Sequence, residues 1–200
     1  MMRCLPQTAG QCKYMLALQS TKPIVVVNAP AGTGKTLIAC HEAMRYQRIA
    51  LTRPTVAADE DLGYLPGDSD SKLAPWTRPM FDVFEKHMSR SQMDRAVRVE
   101  PLGFLRGRTF ERTFILADEM QNSTRSQMQL LLTRLGPECK LVVTGDLHQS
   151  DVGPDNGLAD LLRRIDGLDL AHVETIEMTQ ADILRSDAVR EILTVYGLNV

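Results

Sequence analysis

The 200-residue sequence predicts an α/β fold in which a mostly parallel sheet carries helices on both faces. Three observations point there. Several short runs are apolar throughout and rich in β-branched residues, as in Ile24-Val25-Val26-Val27 and Leu141-Val142-Val143-Thr144. Strands covered on both faces read this way, whereas strands with one wet face alternate. Helical patterns separate these runs, as parallel crossovers require. The composition, 44% hydrophobic and 24% charged, is that of a globular chain, and the length suits one core rather than two.

The elements follow in order. Residues 1–10 are expected to form an N-terminal tail and residues 11–200 a single domain. Ile24 to Val27, bounded by Pro23 and Asn28-Ala29-Pro30, reads as a buried strand. Leu37 to Met44 reads as a helix, and Ile49 to Thr52 as a second strand stopped by Pro54. Residues 53–80, punctuated by Pro54, Gly63, Pro66, Gly67, Pro75 and Pro79, read as a long functional loop in which Trp76 packs. Phe81 to Met88 reads as a helix, Val97 to Val99 as a strand, and Thr113 to Ala117 as a strand ending at two acids. Ser123 to Leu135 has helical spacing, with Ser123 or Thr124 as N-cap and Gly136 as the stop. A strand over Leu141–Thr144, a helix over Leu158–Ile165, a strand over His172–Ile176 and a helix over Ala188–Val195 complete the pattern.

Charge and cysteine content exclude several classes. The net charge of −2 offers no whole-chain field for nucleic acid or anionic membrane, so such binding needs a local patch. Arg90, Arg95, Arg98, Arg106, Arg108 and Arg112 supply one candidate. No apolar run approaches the ~20 residues of a membrane helix, and residues 1–7 lack the apolar core of a signal peptide. A cytoplasmic protein without a membrane partner is expected. The four cysteines, Cys4, Cys12, Cys40 and Cys139, are scattered without a C-x-x-C pair, and no histidine has metal-ligand spacing. Reduced thiols are expected, with Cys40 and Cys139 filling the core.

The most informative segment is Ala29-Pro30-Ala31-Gly32-Thr33-Gly34-Lys35-Thr36, between a predicted strand and a predicted helix. This is the sequence and setting of a phosphate-binding loop. Gly32 and Gly34 let backbone N–H groups turn towards a polyphosphate, and the following helix adds its partial positive charge. Lys35 can reach the β- and γ-phosphates, and Thr36 can offer its hydroxyl to Mg²⁺. The pattern's first glycine is Ala29 here. A second signal is Asp118-Glu119 at the end of the Phe114–Ala117 run. Asp118 suits the Mg²⁺ side, and Glu119 suits a general base for water. A third is Thr144-Gly145-Asp146-Leu147-His148-Gln149, where Gln149 is expected to sense the γ-phosphate, because an amide both donates and accepts. His148 reads as an ordinary loop histidine.

These residues resemble a family. Asp118-Glu119-Met120-Gln121 with Gly145-Asp146-Leu147-His148-Gln149 looks like superfamily-one helicase motifs. More narrowly, the chain resembles the PhoH-like ATPases through Asp61-Leu62-Gly63-Tyr64-Leu65-Pro66-Gly67-Asp68, Leu105-Arg106-Gly107-Arg108-Thr109 and Asp118-Glu119-Met120-Gln121-Asn122. The likeness runs from about Gln11 to Tyr196. It implies a RecA-like P-loop fold, ATP as the nucleotide and a link to RNA. Gln11, with Tyr14, resembles the glutamine motif that reads adenine in related helicases; an amide can pair bidentately with that base. Arg185 matches the family's C-terminal Asp-x-x-Arg and is a candidate for the γ-phosphate. Met120 stands where the family has alanine, and Ala117 is smaller than usual.

The expectation is an ATPase coupled to RNA or single-stranded nucleic-acid handling, with Arg106 and Arg108 contacting the strand. One P-loop implies one RecA-like unit, so an arginine finger must come from the chain itself or from a neighbour. Arg106, Arg108, Arg134 and Arg185 are the candidates, and a homo-oligomeric ring, a hexamer by resemblance, is expected. Rival readings are an ATP-loaded switch or scaffold with negligible turnover, and a small-molecule kinase, which leaves Gly145 to Gln149 unexplained.

Overall fold

The structure, a computed structural model, describes residues 5–54 and 69–195. Cys4, the segment Asp61 to Asp68, Tyr196 and the Trp76 side chain lie outside what it describes. Its elements in chain order are α1 (Ala9–Gln19), β1 (Ile24–Asn28), α2 (Lys35–Ala43), β2 (Ile49–Thr52), α3 (Ser69–Glu85), α4 (Arg90–Ala96) and β3 (Val97–Val99). Then follow β4 (Phe114–Ala117), α5 (Arg125–Leu132), β5 (Lys140–Gly145), α6 (Gly157–Ile165), β6 (Val173–Glu177) and α7 (Asp187–Val195).

The six strands form one sheet in the order β3-β2-β4-β5-β1-β6, and every pairing is parallel. The predicted fold class is the observed one. The central strands are buried end to end, which explains their unbroken apolar runs. One face packs Tyr14, Leu18, Ile38, Ala39, Met80 and Phe84 from α1, α2 and α3. The other packs Leu102, Leu105, Met128, Leu131 and Leu158, largely from α5, α6 and the segment after β3. Register aligns the carboxyl ends: Asn28 of β1 lies opposite Gly145 of β5, and Thr52 of β2 opposite Ala117 of β4. Ligands of open parallel sheets bind on that rim.

The structure departs from the sequence expectations at the helices. Residues 8–10, assigned to a tail, are the N-cap and first turn of α1. Thr8 accepts a hydrogen bond from the Gln11 N–H, and Gly10 is packed so closely on Asp182 that a Cβ there would lie 2.4 Å from its carboxylate. The long loop expected up to residue 80 ends earlier, because α3 begins at Ser69 and runs through Pro75 and Pro79. Each proline deletes a helical hydrogen bond, but Met80 and Phe84, one turn apart, are fully buried, and that packing holds the helix. Helix α4 is short and locally determined by a capping box between Ser89 and Gln92. Thr124 and Gln127 form the same box on α5, which ends at Leu132, before Gly136 is reached. Cys40 and Cys139 are buried and free, as expected of core fillers, and Cys12 is exposed on α1. Among the described residues no helix is long and apolar enough to cross a membrane.

Lys140, at the start of β5, is buried under the C-terminal end of α1. Its ammonium donates to the carbonyls of Ala17, Ser20 and Lys22 at 3.0, 3.0 and 2.7 Å. The Ala17 carbonyl also accepts from the Ser20 N–H and hydroxyl at 3.2 and 2.8 Å, whereas the Ser20 and Lys22 carbonyls lie just beyond the helix. Lys140→Met keeps the length but strands the Ser20 and Lys22 carbonyls, and an unsatisfied buried group costs roughly 1–3 kcal/mol. Urea unfolding of this variant is expected to show a loss of about 2 kcal/mol.

Candidate functional site

The loop after β1 turns on two left-handed glycines, Gly32 at φ 86° and Gly34 at φ 77°. A side chain at either is strained. At Gly32 a Cβ would also meet the Arg185 Nε at 2.9 Å. Ala29 has no positive φ and buries its methyl group in the core, so the backbone does not require glycine at this first position of the pattern. The loop's carbonyls are held from outside. Pro30 O accepts from the Thr33 hydroxyl at 2.9 Å, Gly32 O from the Leu184 N–H at 3.0 Å, and Thr33 O from Gln11 Nε2 at 3.0 Å. Among the described residues the N–H groups of Gly32, Thr33, Gly34, Lys35 and Thr36 have no acceptor. A run of unpaired donors at the start of α2, beside the buried Lys35, fits a polyphosphate.

Asp118 follows β4 and is buried at the floor of the loop. It accepts from the Thr36 hydroxyl at 3.1 Å and from the Thr144 hydroxyl. Burial raises its pKa and the Glu119 charge adds to this, while the Thr144 hydrogen bond, Arg53 and Lys35 pull it down. A hydroxyl beside a carboxylate is a hard oxygen donor pair and fits Mg²⁺.

A sequence model of the PhoH-like protein family matches residues 3–197. The chain belongs to that family. PhoH-like proteins of Bacillus subtilis (strain 168) and Mycobacterium tuberculosis (strain H37Rv) are 36% and 39% identical over 206 and 208 residues, 95% and 96% of this chain. Protein PhoH of Escherichia coli (strain K12) is 36% identical over 208 residues. The chain spans 63%, 57% and 58% of these relatives' own lengths. Among solved structures, the large terminase of a thermophilic bacteriophage matches with a TM-score of 0.61, over 95% of this chain and 50% of that one, at 13% identity. That likeness is one of fold.

In this PhoH-like chain Glu119 adopts a left-handed conformation at φ 55°, which tips its side chain out of the strand direction. Its carboxylate accepts from Gln121 Nε2 at 2.6 Å. Gln121, 1% exposed, also accepts from the Asp146 N–H at 3.1 Å and reaches the Gln149 carbonyl at 3.4 Å. Asp146 accepts from the Ala31 N–H at 3.2 Å, so it touches the phosphate loop directly. Gln149, the expected γ-phosphate sensor, has an exposed side chain and enters this network through its backbone carbonyl. The buried polar groups at this end of β5 are Thr144 and Asp146. The signal for Asp146 was present, an acid directly after a strand and its glycine. Gln121 was visible only within the family motif. Met120 and Ala117 fill the core behind this turn.

Gln11 is buried over the loop, its oxygen bonded to the Gln7 N–H at 2.8 Å. Tyr14, read with it as part of an adenine-reading motif, lies in the core at 0% exposure. Arg185 lies over the loop of its own chain, with Nη2 3.4 Å from the Ala31 carbonyl. Asp182, which sequence reasoning did not single out as a site residue, ties these segments together. Its carboxylate accepts from the Thr8 hydroxyl at 2.6 Å, the Gly10 N–H at 2.9 Å and the Thr179 N–H at 3.0 Å. The other finger candidates are apart from the loop's hydrogen bonds. Arg108 is paired with Glu100, Arg134 donates to the carbonyls of Leu130 and Arg108, and Arg106 makes no ion pair among the described residues.

An acid whose pKa is raised by folding stabilises the fold below its unfolded pKa, and that contribution is lost as pH rises through the folded value. At neutral pH ionised Asp118 therefore works against the ligand-free fold. Asp118→Asn is expected to raise the melting temperature of nucleotide-free protein at pH 7. The difference should shrink as the pH is lowered through the raised pKa towards 3.8. Thermal melts of both proteins across that range, without Mg²⁺, check this.

Proposed function

We propose that this PhoH-like protein binds ATP with Mg²⁺, hydrolyses the β–γ phosphoanhydride and couples turnover to single-stranded nucleic acid, RNA by family resemblance. The observation that carries this reading is the convergence on one rim of an unpaired N–H cradle, a buried lysine and two adjacent acids. The N–H groups from Gly32 to Thr36 and the Lys35 ammonium take the phosphate charge. Thr36 and Asp118 hold the cation, which when bound screens the phosphate oxygens. Glu119 accepts the proton of the attacking water, and its hydrogen bond from Gln121 aims it. Arg185 stands ready for charge that develops on the γ-phosphate, and Gln11 supports the loop edge where adenine enters. The reading also includes the homo-oligomeric ring, a hexamer, with ATP at the subunit interfaces.

Lys35→Ala is expected to lose nucleotide binding, measured with a fluorescent ATP analogue. Glu119→Gln is expected to bind ATP like the parent but to release phosphate about 10²–10⁴-fold more slowly. Undiminished turnover in Glu119→Gln removes that residue as base, and a parent that binds ATP without turnover favours the switch reading. Light scattering at micromolar protein with ATP and Mg²⁺ tests the ring. A monomeric mass with concentration-independent specific activity removes it.

A further inference from the structure

The turn after β3, Leu102–Phe104, is pinned from beneath. Leu102 is 3% exposed and Leu105 is fully buried, both in the core against α5. Between them Phe104 points outward and is 71% exposed, while Phe84, Phe110 and Phe114 are buried. Among the described residues a Cβ built at Gly103 or Gly107 would meet nothing within 4 Å, so they leave open space on both sides of the turn. Phe104 is therefore not a core residue that has slipped out. Among the described residues it is an aromatic ring mounted on buried neighbours, with an unobstructed approach.

Its surroundings are cationic. Arg106, two residues on, is exposed and makes no ion pair among the described residues. Arg108 is held by Glu100, with Nη2 to Oε1 at 2.9 Å, and its guanidinium lies 5.8 Å from the centre of the Phe110 ring. Arg108 also lines a groove of about 310 Å³ with Arg48, Arg95 and Arg98, against which stand two carboxylates, Glu100 and Glu111. In a chain of net charge −2 this is a local excess of positive charge on the segment that carries the ring; Phe104 itself does not line the groove, and the arginines nearest it in the chain are Arg106 and Arg108. An apolar protein partner would leave the Arg106 guanidinium desolvated and unpaired. A polyanion with flat bases satisfies both features.

We propose that Phe104 stacks on a base of single-stranded nucleic acid while Arg106 contacts an adjoining phosphate. The inference rests on the nucleic-acid part of the proposed function and assigns it a contact. It also separates the two arginines read together from sequence: Arg106 meets the strand, and Arg108, committed to Glu100, shapes the turn. The turn stands on the same rim as the nucleotide loop. The Glu100 N–H is bonded to Leu51 O of β2, and the next carbonyl of β2, Thr52 O, accepts from the Asp118 N–H. Strand engagement at Phe104 is thus two hydrogen-bonded steps from the acids after β4.

The test is fluorescence anisotropy of a labelled 20-mer oligouridylate, without nucleotide, on the full chain. Phe104→Ala is expected to weaken binding about tenfold with an unchanged salt slope, because stacking carries no counterion release. Phe104→Trp should keep parent affinity. Arg106→Ala should reduce the slope of log K against log salt by about one. On a base-free deoxyribose-phosphate 20-mer, parent and Phe104→Ala should bind equally. If the parent does not bind the oligouridylate, the nucleic-acid reading fails and this placement with it. If the parent binds and Phe104→Ala binds equally well, the placement alone is overturned. It is also overturned if Phe104→Ala lowers the assembled mass in light scattering while leaving oligonucleotide affinity intact, since the ring then serves a subunit contact. Binding of a fluorescent ATP analogue, read separately, shows whether the nucleotide reading stands in either case.

Discussion

The constraint on which the site depends is a carboxylate placed in the protein interior. Asp118 sits at the end of a central strand, 4% exposed, where ionisation is opposed by lost hydration. Its neighbours answer that cost. Thr144 of β5 and Thr36 of α2 donate hydroxyls to it, and the Lys35 and Arg53 charges favour its ionised form. Thr36 and Thr144 come from two elements that meet only because β1 and β5 are hydrogen-bonded neighbours in the sheet. The strand order therefore matters to the chemistry. Were β5 elsewhere, Asp118 would lose Thr144, and the phosphate loop would lose Asp146. The same close approach makes Gly145 obligatory, because a Cβ there would lie 2.5 Å from Leu158 and 2.7 Å from the Gln121 oxygen.

A second layer of structure acts on the loop from outside the sheet. A phosphate loop works by turning its N–H groups inward, which leaves its carbonyls to be satisfied behind it. Here they are satisfied by segments from opposite ends of the chain, Gln11 on α1 and Leu184 beyond β6. Asp182 joins the two segments through Thr8, Gly10 and Thr179. Lys140 fixes the other end of α1. The position of Gln11 thus rests on two buried charged groups as well as on its own hydrogen bonds to Gln7 and Thr33. The Arg185 guanidinium is delivered by the same stitched segment, which is how an arginine far along the chain reaches a loop near its beginning.

What was legible in the sequence follows from the range of the interactions involved. Strands were readable because double-sided burial writes itself into consecutive residues: Ile49–Thr52 and Val97–Val99 were placed at their observed bounds, and the others within a residue or two. The phosphate loop and the acids after β4 were readable because their spacing is local. Helix α1 was not, since its weak amphipathic pattern is held by Asp182 and Lys140, more than a hundred residues away. Helix α3 was shortened because proline is a strong local signal, and the burial of Met80 and Phe84 that overrides it is tertiary. Burial after β5 was not legible: Asp146 and Gln149 both follow the strand, but Asp146 lies inside and the Gln149 side chain is in water.

The geometry around Glu119 shows why such long-range wiring is needed. A non-glycine residue at φ 55° is uncommon, and its strain must be held by neighbours. The residues that hold it are the buried Met120 and Gln121 on the 3-10 turn that follows. Met120 fills the core beneath, and Gln121 bonds both Glu119 and the turn after β5. One amide therefore connects the acid that faces water to Asp146, which touches the phosphate loop at Ala31. A shift of the loop on taking up phosphate would move Asp146. Because the Asp146 N–H is bonded to the Gln121 oxygen while the Gln121 amide nitrogen holds the Glu119 carboxylate, the same shift would re-aim Glu119. Glu119 and the loop are parts of one hydrogen-bonded unit.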